Sequence, residues 1–422
     1  MLMKTVETDL IQPGEKGLGR LEAPLAAEEI RKLGWNLLRE DLSLPAAVLY
    51  EEKLAHNLAW MREFAEKYRV KLAPHGKTTM TPKLFHRQIE AGAWGITLST
   101  AVQVRIAHEH GIPRVLMANE LVGRENMGII SRLLADEKFE FFCLVDSADQ
   151  IKLLTDFFGE RRQRLNVLVE LGVNGGRAGI RSQEQLQEVL LALDLSRGTL
   201  VLGGVEVYEG ILSDEAAIRD YLRRGAQITT ELANNKRFER SPVILSGAGS
   251  SWYDIVANEF SKVNIGEPIE ILLRPGCYLT HDVGIYREAQ MQILKRDAIA
   301  RGMAPGLIPA LQLWAYVQSV PESTRAIIGL GKRDAAFDLG FPVPALHYRP
   351  GRGAPTNAPA DWKLIKLMDQ HAYMEISTGS GLRVGDMIGF DISHPCLTFD
   401  KWRYLTVLAE DYRVIDVVET FF

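Results

Sequence analysis

From residue 71 onward the chain switches regularly between two hydrophobic periods. Short runs that are apolar at successive positions fall at 71–75, 95–99, 114–119, 139–145, 165–171, 201–208, 242–245 and 269–273. Between them, helix-spaced apolar positions occupy 81–92, 101–110, 124–136, 147–158, 182–195, 214–238 and 251–260. Strands without a polar face are those of a parallel sheet covered on both sides. Strand–helix alternation of this length implies parallel crossovers. Eight such strands predict a closed (β/α)8 barrel, an α/β fold of the TIM type. A doubly wound open sheet is the alternative.

The pattern changes outside this block. Upstream, Ile30, Leu33, Leu37 and Leu38 are helix-spaced and predict a helix over 26–40. A strand is predicted at 46–50. An amphipathic helix follows at 51–68, with Leu54, Leu58, Met61, Phe64 and Ala65 on one face. After about 285, Gly and Pro become frequent and short strand-like pieces appear at 312–320, 325–328, 372–376, 387–390, 404–409 and 413–418. The Pro/Gly-rich stretch 342–359 reads as a surface loop. The expected organisation is a barrel over 46–285 and a C-terminal β-rich domain made of 286–422 with 1–45.

Composition narrows the function. The chain has 422 residues, 46% hydrophobic and 24% charged, with a net charge of -5. A globular protein with a large core is indicated, and no basic surface suggests nucleic acid. The three cysteines, Cys143, Cys277 and Cys396, are too scattered for a disulfide framework. The first residues lack the apolar core of a secretory leader, and no window has the length of a membrane span. A cytoplasmic location is the expectation.

On a barrel, chemistry belongs at the C-terminal strand ends. The first strand ends in Pro74-His75-Gly76-Lys77-Thr78-Thr79. A lysine there is placed to be partly desolvated, which lowers the pKa of an ammonium and frees an amine to attack a carbonyl. The alternative is a solvated turn lysine. The seventh strand ends in Ser246-Gly247-Ala248-Gly249-Ser250-Ser251. Small residues and hydroxyls before a helix suit a phosphate, and barrels often bind one after strand seven. A lysine and a phosphate cradle on one rim suggest pyridoxal 5′-phosphate, held covalently by Lys77. Arg177 and Tyr208, at other strand ends, are candidates to face the pyridine nitrogen, and Tyr278 to reach the lysine or the phosphate. His75 either orients Lys77 and packs under the cofactor or is a core histidine.

A third signal lies far away, in Ser393-His394-Pro395-Cys396. His394 and Cys396, two apart, project to one side of an extended segment. Imidazole and thiolate suit zinc, with positions left open for substrate. Alone, such a pair more often binds nothing.

Together these segments resemble the fold-type III pyridoxal-phosphate enzymes, whose alanine-racemase-like barrel is followed by a β-domain. Within them the chain is similar to the zinc-dependent D-serine dehydratase and D-threonine aldolase group. The carriers are PHGKTT around Lys77, NGGRAG around Arg177, VYEG around Tyr208, SGAGS from Ser246, RPGCY ending at Tyr278, LRVGD ending at Asp386 and SHPC ending at Cys396. The resemblance implies that Lys77 carries the cofactor and takes the Cα proton. It puts the phosphate on Gly247–Ser250, Tyr208 near the pyridine nitrogen, and zinc on His394 and Cys396. It also implies a homodimer acting on a small D-amino acid. Before the VGD turn, where members of the group carry two acids, a histidine and a glycine, this chain has Glu375-Ile376-Ser377-Thr378-Gly379-Ser380-Gly381.

The expected reaction is β-elimination from a β-hydroxy D-amino acid such as D-serine, giving a 2-oxo acid and ammonia. An aldolase would use the same parts to release glycine and an aldehyde. A racemase is disfavoured, because it needs no metal pair. A non-catalytic pyridoxal-phosphate-binding barrel is the alternative of another class.

Overall fold

A computed structural model describes residues 10–422, so the leader reading of the first nine residues lies outside it. The first strand, β1 (Ala46–Tyr50), does not enter the barrel. The next eight do: β2 (Lys71–Leu72), β3 (Ile96–Leu98), β4 (Arg114–Glu120), β5 (Glu140–Val145), β6 (Leu165–Leu171), β7 (Leu200–Val207), β8 (Val243–Gly247) and β9 (Ile269–Leu273). They pair in the order β2-β9-β8-β7-β6-β5-β4-β3, every pair parallel.

The ring closes between β2 and β3 through a short seam. The Trp94 amide donates to the Leu72 carbonyl at 2.7 Å and the Thr97 amide to the Pro74 carbonyl at 2.8 Å. The closed barrel therefore replaces the open-sheet alternative. Pro74 has no N–H to continue a ladder, which is why β2 is only two residues long where five were predicted. Inside the ring, Leu116, Phe142, Leu144, Leu168, Ile244 and Leu272 form an apolar plug. On the outside, alternate strand residues such as Val115, Val167, Val205 and Leu245 meet the helices.

The second sheet has ten strands. Those after the barrel are β10 (Leu311–Glu322), β11 (Arg325–Ile328), β12 (Val343–Tyr348), β13 (Thr356–Asn357), β14 (Lys363–Leu367), β15 (Ala372–Glu375), β16 (Met387–Asp391), β17 (Tyr404–Leu408) and β18 (Val414–Glu419). The main path is β13-β12-β16-β10-β1-β17-β18, with β11, β15 and β14 branching from β10. β1 sits in the middle, antiparallel to β10 and parallel to β17. The boundary expected at 46 thus cuts off a strand of the second sheet. That strand is buried on both sides, so its pattern cannot be told from a barrel strand. After the last barrel strand come two helices, Ile285–Arg296 and Ala298–Arg301, before the β-rich part begins.

Two further expectations change. The stretch 342–359 is not a loop: it contains the β12–β13 hairpin, which pairs with β16. Pro344 is accommodated at a register shift in β12, where a proline costs no ladder bond. The segment 26–40 forms two 3-10 turns, Ala27–Leu33 and Leu37–Arg39, rather than one α-helix. Gly34, with φ 65°, separates them in the left-handed region.

The β6–β7 ladder skips a residue, since Val167 pairs with Leu202 and Leu168 with Gly204. A Cβ on Gly204 would overlap the Ile244 carbonyl of β8, which is backbone and cannot yield. A Cβ on Gly203 would meet nothing closer than 3.4 Å. Gly204→Ala is expected to lower unfolding stability by about 1–3 kcal/mol or more. Gly203→Ala should stay within about 0.5–1 kcal/mol of wild type. Chemical denaturation of the two variants checks the contrast.

Candidate active site

A cavity of about 610 Å³ opens at the C-terminal ends of the barrel strands, roofed by the 394–400 segment and Phe422. The second sheet is tied to this rim, because the Phe421 amide donates to the Met80 carbonyl at 2.8 Å and Lys83 pairs with Asp416 at 2.5 Å.

Lys77 projects into the cavity from a 3-10 turn, Gly76–Thr78. Gly76 has no room for a side chain: a Cβ would lie 2.8 Å from Ile96 and Phe85. The turn is thereby wedged against the barrel wall and aims Lys77 inward. Lys77 is exposed to the cavity. His75 also lines the cavity, with its Nδ1 enclosed and unpartnered. Burial, and then the charges of Lys77, Arg274 and Arg177, hold its imidazole well below the usual pKa. His75 is therefore neutral and keeps one ring nitrogen free for a partner.

Arg177 and Tyr208 meet at the opposite wall, the guanidinium 4.5 Å from the centre of the phenol ring. Burial and then Glu209 push the Tyr208 phenol up, so it is a proton-bearing group. Gly249 leaves space for that ring, since a Cβ there would lie 3.3 Å from it.

The Ala248–Ser250 loop lines the cavity, but two of its amides are already engaged. Ala248 and Gly249 donate to the two oxygens of Glu209, at 3.0 and 2.8 Å. Glu209 is fully buried, and burial raises its pKa against the pull of these two amides. The carboxylate acts as a built-in anion that shapes the loop. At the next strand end, the Gly276 and Cys277 amides both donate to the Ser250 hydroxyl, at 3.2 and 3.1 Å. A single hydroxyl shared by two amides is a site that a stronger anion can take over.

Three predicted residues do not reach the cavity. Ser246 is buried in the barrel, its hydroxyl donating to the Leu272 carbonyl at 3.3 Å. Gly247 faces the helix side, where a Cβ would meet Val256 at 3.0 Å. Tyr278 is buried with its hydroxyl accepting from Gln88 at 3.1 Å. Ser246 and Gly247 are still within β8, where alternation points them into the wall, and Tyr278 is buried in the turn after β9.

Beneath the floor lies a charged layer that the sequence reading did not assign. Arg274 and Glu206 form a buried ion pair, and Arg274 also donates to the Val207 carbonyl at 3.0 Å. Glu170, paired across from Glu206 in the ladder, is pushed up by burial and then by Glu206 and Glu120. It stays protonated because three carboxyl groups share one buried cation.

His394 and Cys396 line the same cavity as Lys77. The segment is not extended: Pro395 is helical and Cys396 opens a turn, Cys396–Phe399. The two side chains still meet. The Cys396 thiol is pulled down to about 4, chiefly by the Cys277 thiol and also by His394 and Thr78, against the effect of burial. Burial works against protonation of His394, but contacts with Cys396 and Asp338 raise it to about 9. His394 Nδ1 lies 2.8 Å from Asp338 Oδ2, leaving Nε2 as the nitrogen available to a metal. Cys277 and Tyr286 also line this corner, as does Thr78, whose Oγ1 is 3.5 Å from Cys396 Sγ. Sequence reasoning missed all three for this role, although Cys277 lies just past the last barrel strand within the RPGCY segment. Among the described residues no three acidic, histidine or cysteine side chains form a ready-made metal cage. A thiolate beside an imidazole backed by a carboxylate nevertheless has the chemistry of a zinc half-site.

Comparison with known proteins agrees with this arrangement. The family model described as "Alanine racemase, N-terminal domain" matches residues 50–268, the helix before the barrel and all of its strands but the last. The chain belongs to that family. A second model, "Putative serine dehydratase domain", matches residues 310–408, which include His394 and Cys396. These matches place the chain in the fold-type III pyridoxal-phosphate group. A D-threonine aldolase of Arthrobacter sp is 23% identical over 53% of this chain, and the match spans 59% of that enzyme. A D-threo-3-hydroxyaspartate dehydratase of Delftia sp. is 26% identical over 40% of this chain and 44% of its own length. The chain thus spans about half the length of these two curated relatives. Among solved structures, D-threonine aldolase from Filomicrobium marinum superposes with a TM-score of 0.74 at 22% identity, covering 92% of this chain and 97% of that one. The Delftia dehydratase superposes with a TM-score of 0.72 at 20% identity, covering 92% and 99%.

The floor carboxyls give a pH prediction. Glu170 has its pKa raised in the folded state. Above the ordinary glutamate range the unfolded chain loses this proton while the folded chain keeps it, so the group's contribution to stability falls as pH rises. Glu170→Gln removes that titration. Its stability relative to wild type should increase between about pH 5 and pH 9. Denaturation curves across that range check the sign.

Proposed function

We propose that the chain is a pyridoxal-phosphate- and zinc-dependent lyase that eliminates the β-hydroxyl of a small D-amino acid, with D-serine as the model substrate. The observation that supports this most is that one cavity holds both Lys77, from the barrel, and the His394–Cys396 pair, from the second sheet. An amine and a metal half-site facing one space suit chemistry on two adjacent carbons. The reading also draws support from two solved mutants of a D-threo-3-hydroxyaspartate dehydratase, which replace a histidine and a cysteine two positions apart, the spacing of His394 and Cys396. The cysteine mutant is described as metal-free.

The residues suit both groups. Lys77 would hold the cofactor through Nζ, and the Gly276 and Cys277 amides with Ser250 would hold its phosphate. His75 offers an enclosed, unpartnered Nδ1 beside Lys77. Tyr208, backed by Arg177, would face the pyridine nitrogen. His394 and Cys396 would hold the metal. The cofactor, when bound, supplies the electron sink that makes the substrate's Cα proton acidic. The metal, when bound, supplies Lewis-acid stabilisation of the departing β-hydroxyl.

The chain's own groups do the rest. Lys77, once free, takes the Cα proton on its Nζ. Tyr208 keeps its proton and donates rather than accepts, so it does not compete as a base. Asp338 fixes the orientation of the His394 ring. Loss of Cα–H and Cβ–O together gives an unsaturated amine. Addition of water then yields a 2-oxo acid and ammonia, pyruvate in the case of D-serine.

An aldolase reading remains the second one, favoured by the D-threonine aldolase relatives. Incubation with D-serine, D-threonine and D-3-hydroxyaspartate separates the two. Elimination predicts 2-oxo acid with ammonia; glycine and an aldehyde mean carbon–carbon cleavage. Absence of all products with an intact cofactor spectrum would leave a binding protein. Lys77→Ala should lower kcat by about 10²–10⁴-fold or more. Chelation should stop turnover while sparing the visible absorbance of the bound cofactor.

A further inference from the structure

Cys277 and Cys396 come from different parts of the chain, the first from the turn that follows β9 and the second from the turn after β16. Their sulfurs stand 3.7 Å apart. That separation is too long for a disulfide, whose sulfurs bond at about 2.05 Å. It matches two thiolates on one tetrahedral zinc: with Zn–S of about 2.3 Å, the edge between two sulfurs is about 3.7–3.8 Å.

We propose that Cys277 is a third protein ligand of the metal, completing a His394–Cys396–Cys277 set that bridges the barrel rim and the second sheet. The inference rests on the metal reading given above and extends it to a residue outside the His-x-Cys pair. Cys277 lines the cavity beside Cys396 and is otherwise buried, with the Thr78 hydroxyl 4.0 Å from its sulfur. His394 lies beside Cys396 in the same cavity, its Nδ1 held by Asp338 at 2.8 Å. Converting that contact to joint ligation requires loss of a proton and a side-chain adjustment, not a new fold, which is why the cluster is not a finished cage beforehand. Two cysteines and a histidine leave one position open, the pattern of a catalytic rather than a structural zinc site. The set would also fasten the roof of the cavity to the strand end that carries the Gly276 and Cys277 amides, so metal and phosphate sites would be mechanically linked.

The test is cobalt(II) titration of the chelator-treated, reduced holoenzyme, with the sulfur-to-cobalt charge-transfer band as readout. Wild type should show the band of two thiolates. Cys277→Ser should show about half that intensity and bind cobalt about tenfold more weakly or worse. Cys396→Ser should behave like Cys277→Ser, and Cys143→Ala, which removes a thiol on β5, should leave the band unchanged. The cofactor spectrum and melting temperature of Cys277→Ser confirm that it is folded. If Cys277→Ser keeps the full band and the wild-type affinity, the third-ligand assignment is overturned while the His394–Cys396 reading stands. If wild type gives no thiolate band at all, both are overturned.

Discussion

The Pro74 carbonyl accepts the Thr97 amide, and the rim of the barrel depends on that bond. It closes the ring where β2 has almost no ladder of its own. It places the following turn, with Gly76 wedged against Ile96 and Phe85, so that Lys77 has one direction in which to point. The same turn receives the second sheet: the Phe421 amide reaches Met80, and Thr78 reaches Cys396. A local backbone constraint in the barrel therefore decides where two distant parts of the chain meet.

What meets there is polarised by burial. Beneath the rim, Glu120, Glu170 and Glu206 share Arg274 inside an apolar barrel, so at least one carboxyl stays protonated. At the rim, Glu209 occupies two loop amides that would otherwise bind an external anion. These groups touch no substrate in this account. They fix the shape of the loop and of the layer under the floor, while burial and the cationic neighbours Lys77, Arg274 and Arg177 keep His75 neutral. On the proposed reading, the chemistry falls to the exposed Lys77 on one side and the thiol–imidazole corner on the other.

Much of this was legible in the chain. Strands apolar on both faces mark a covered parallel sheet, and eight of them mark a barrel, so the strand ends and Lys77 followed directly. His394 and Cys396 were legible only as a pair with matching chemistry; nothing in their spacing says which strand end they face. Cys277 was visible as the end of a strand, yet its approach to Cys396 is a tertiary fact spanning the two domains. Glu209 was hidden because a buried acid satisfied by backbone amides leaves no periodic signal. β1 was assigned to the barrel because burial on both faces looks the same in either sheet. The β12–β13 hairpin was lost under its prolines, which mark turns locally but are tolerated at a register shift. Ser246, Gly247 and Tyr278 adjoin the site in sequence, but strand direction in β8 turns the first two into the wall, and the turn after β9 buries the third.

The central claim is that Lys77 and Cys396 act on one bound molecule. Crystals of the enzyme loaded with pyridoxal phosphate and zinc, reduced with borohydride and measured at the zinc edge, test it most directly. The account predicts cofactor density continuous with Lys77 Nζ and an anomalous peak at Cys396 Sγ in the same cavity. Density joined to a different lysine, or a zinc peak outside that cavity, would contradict it.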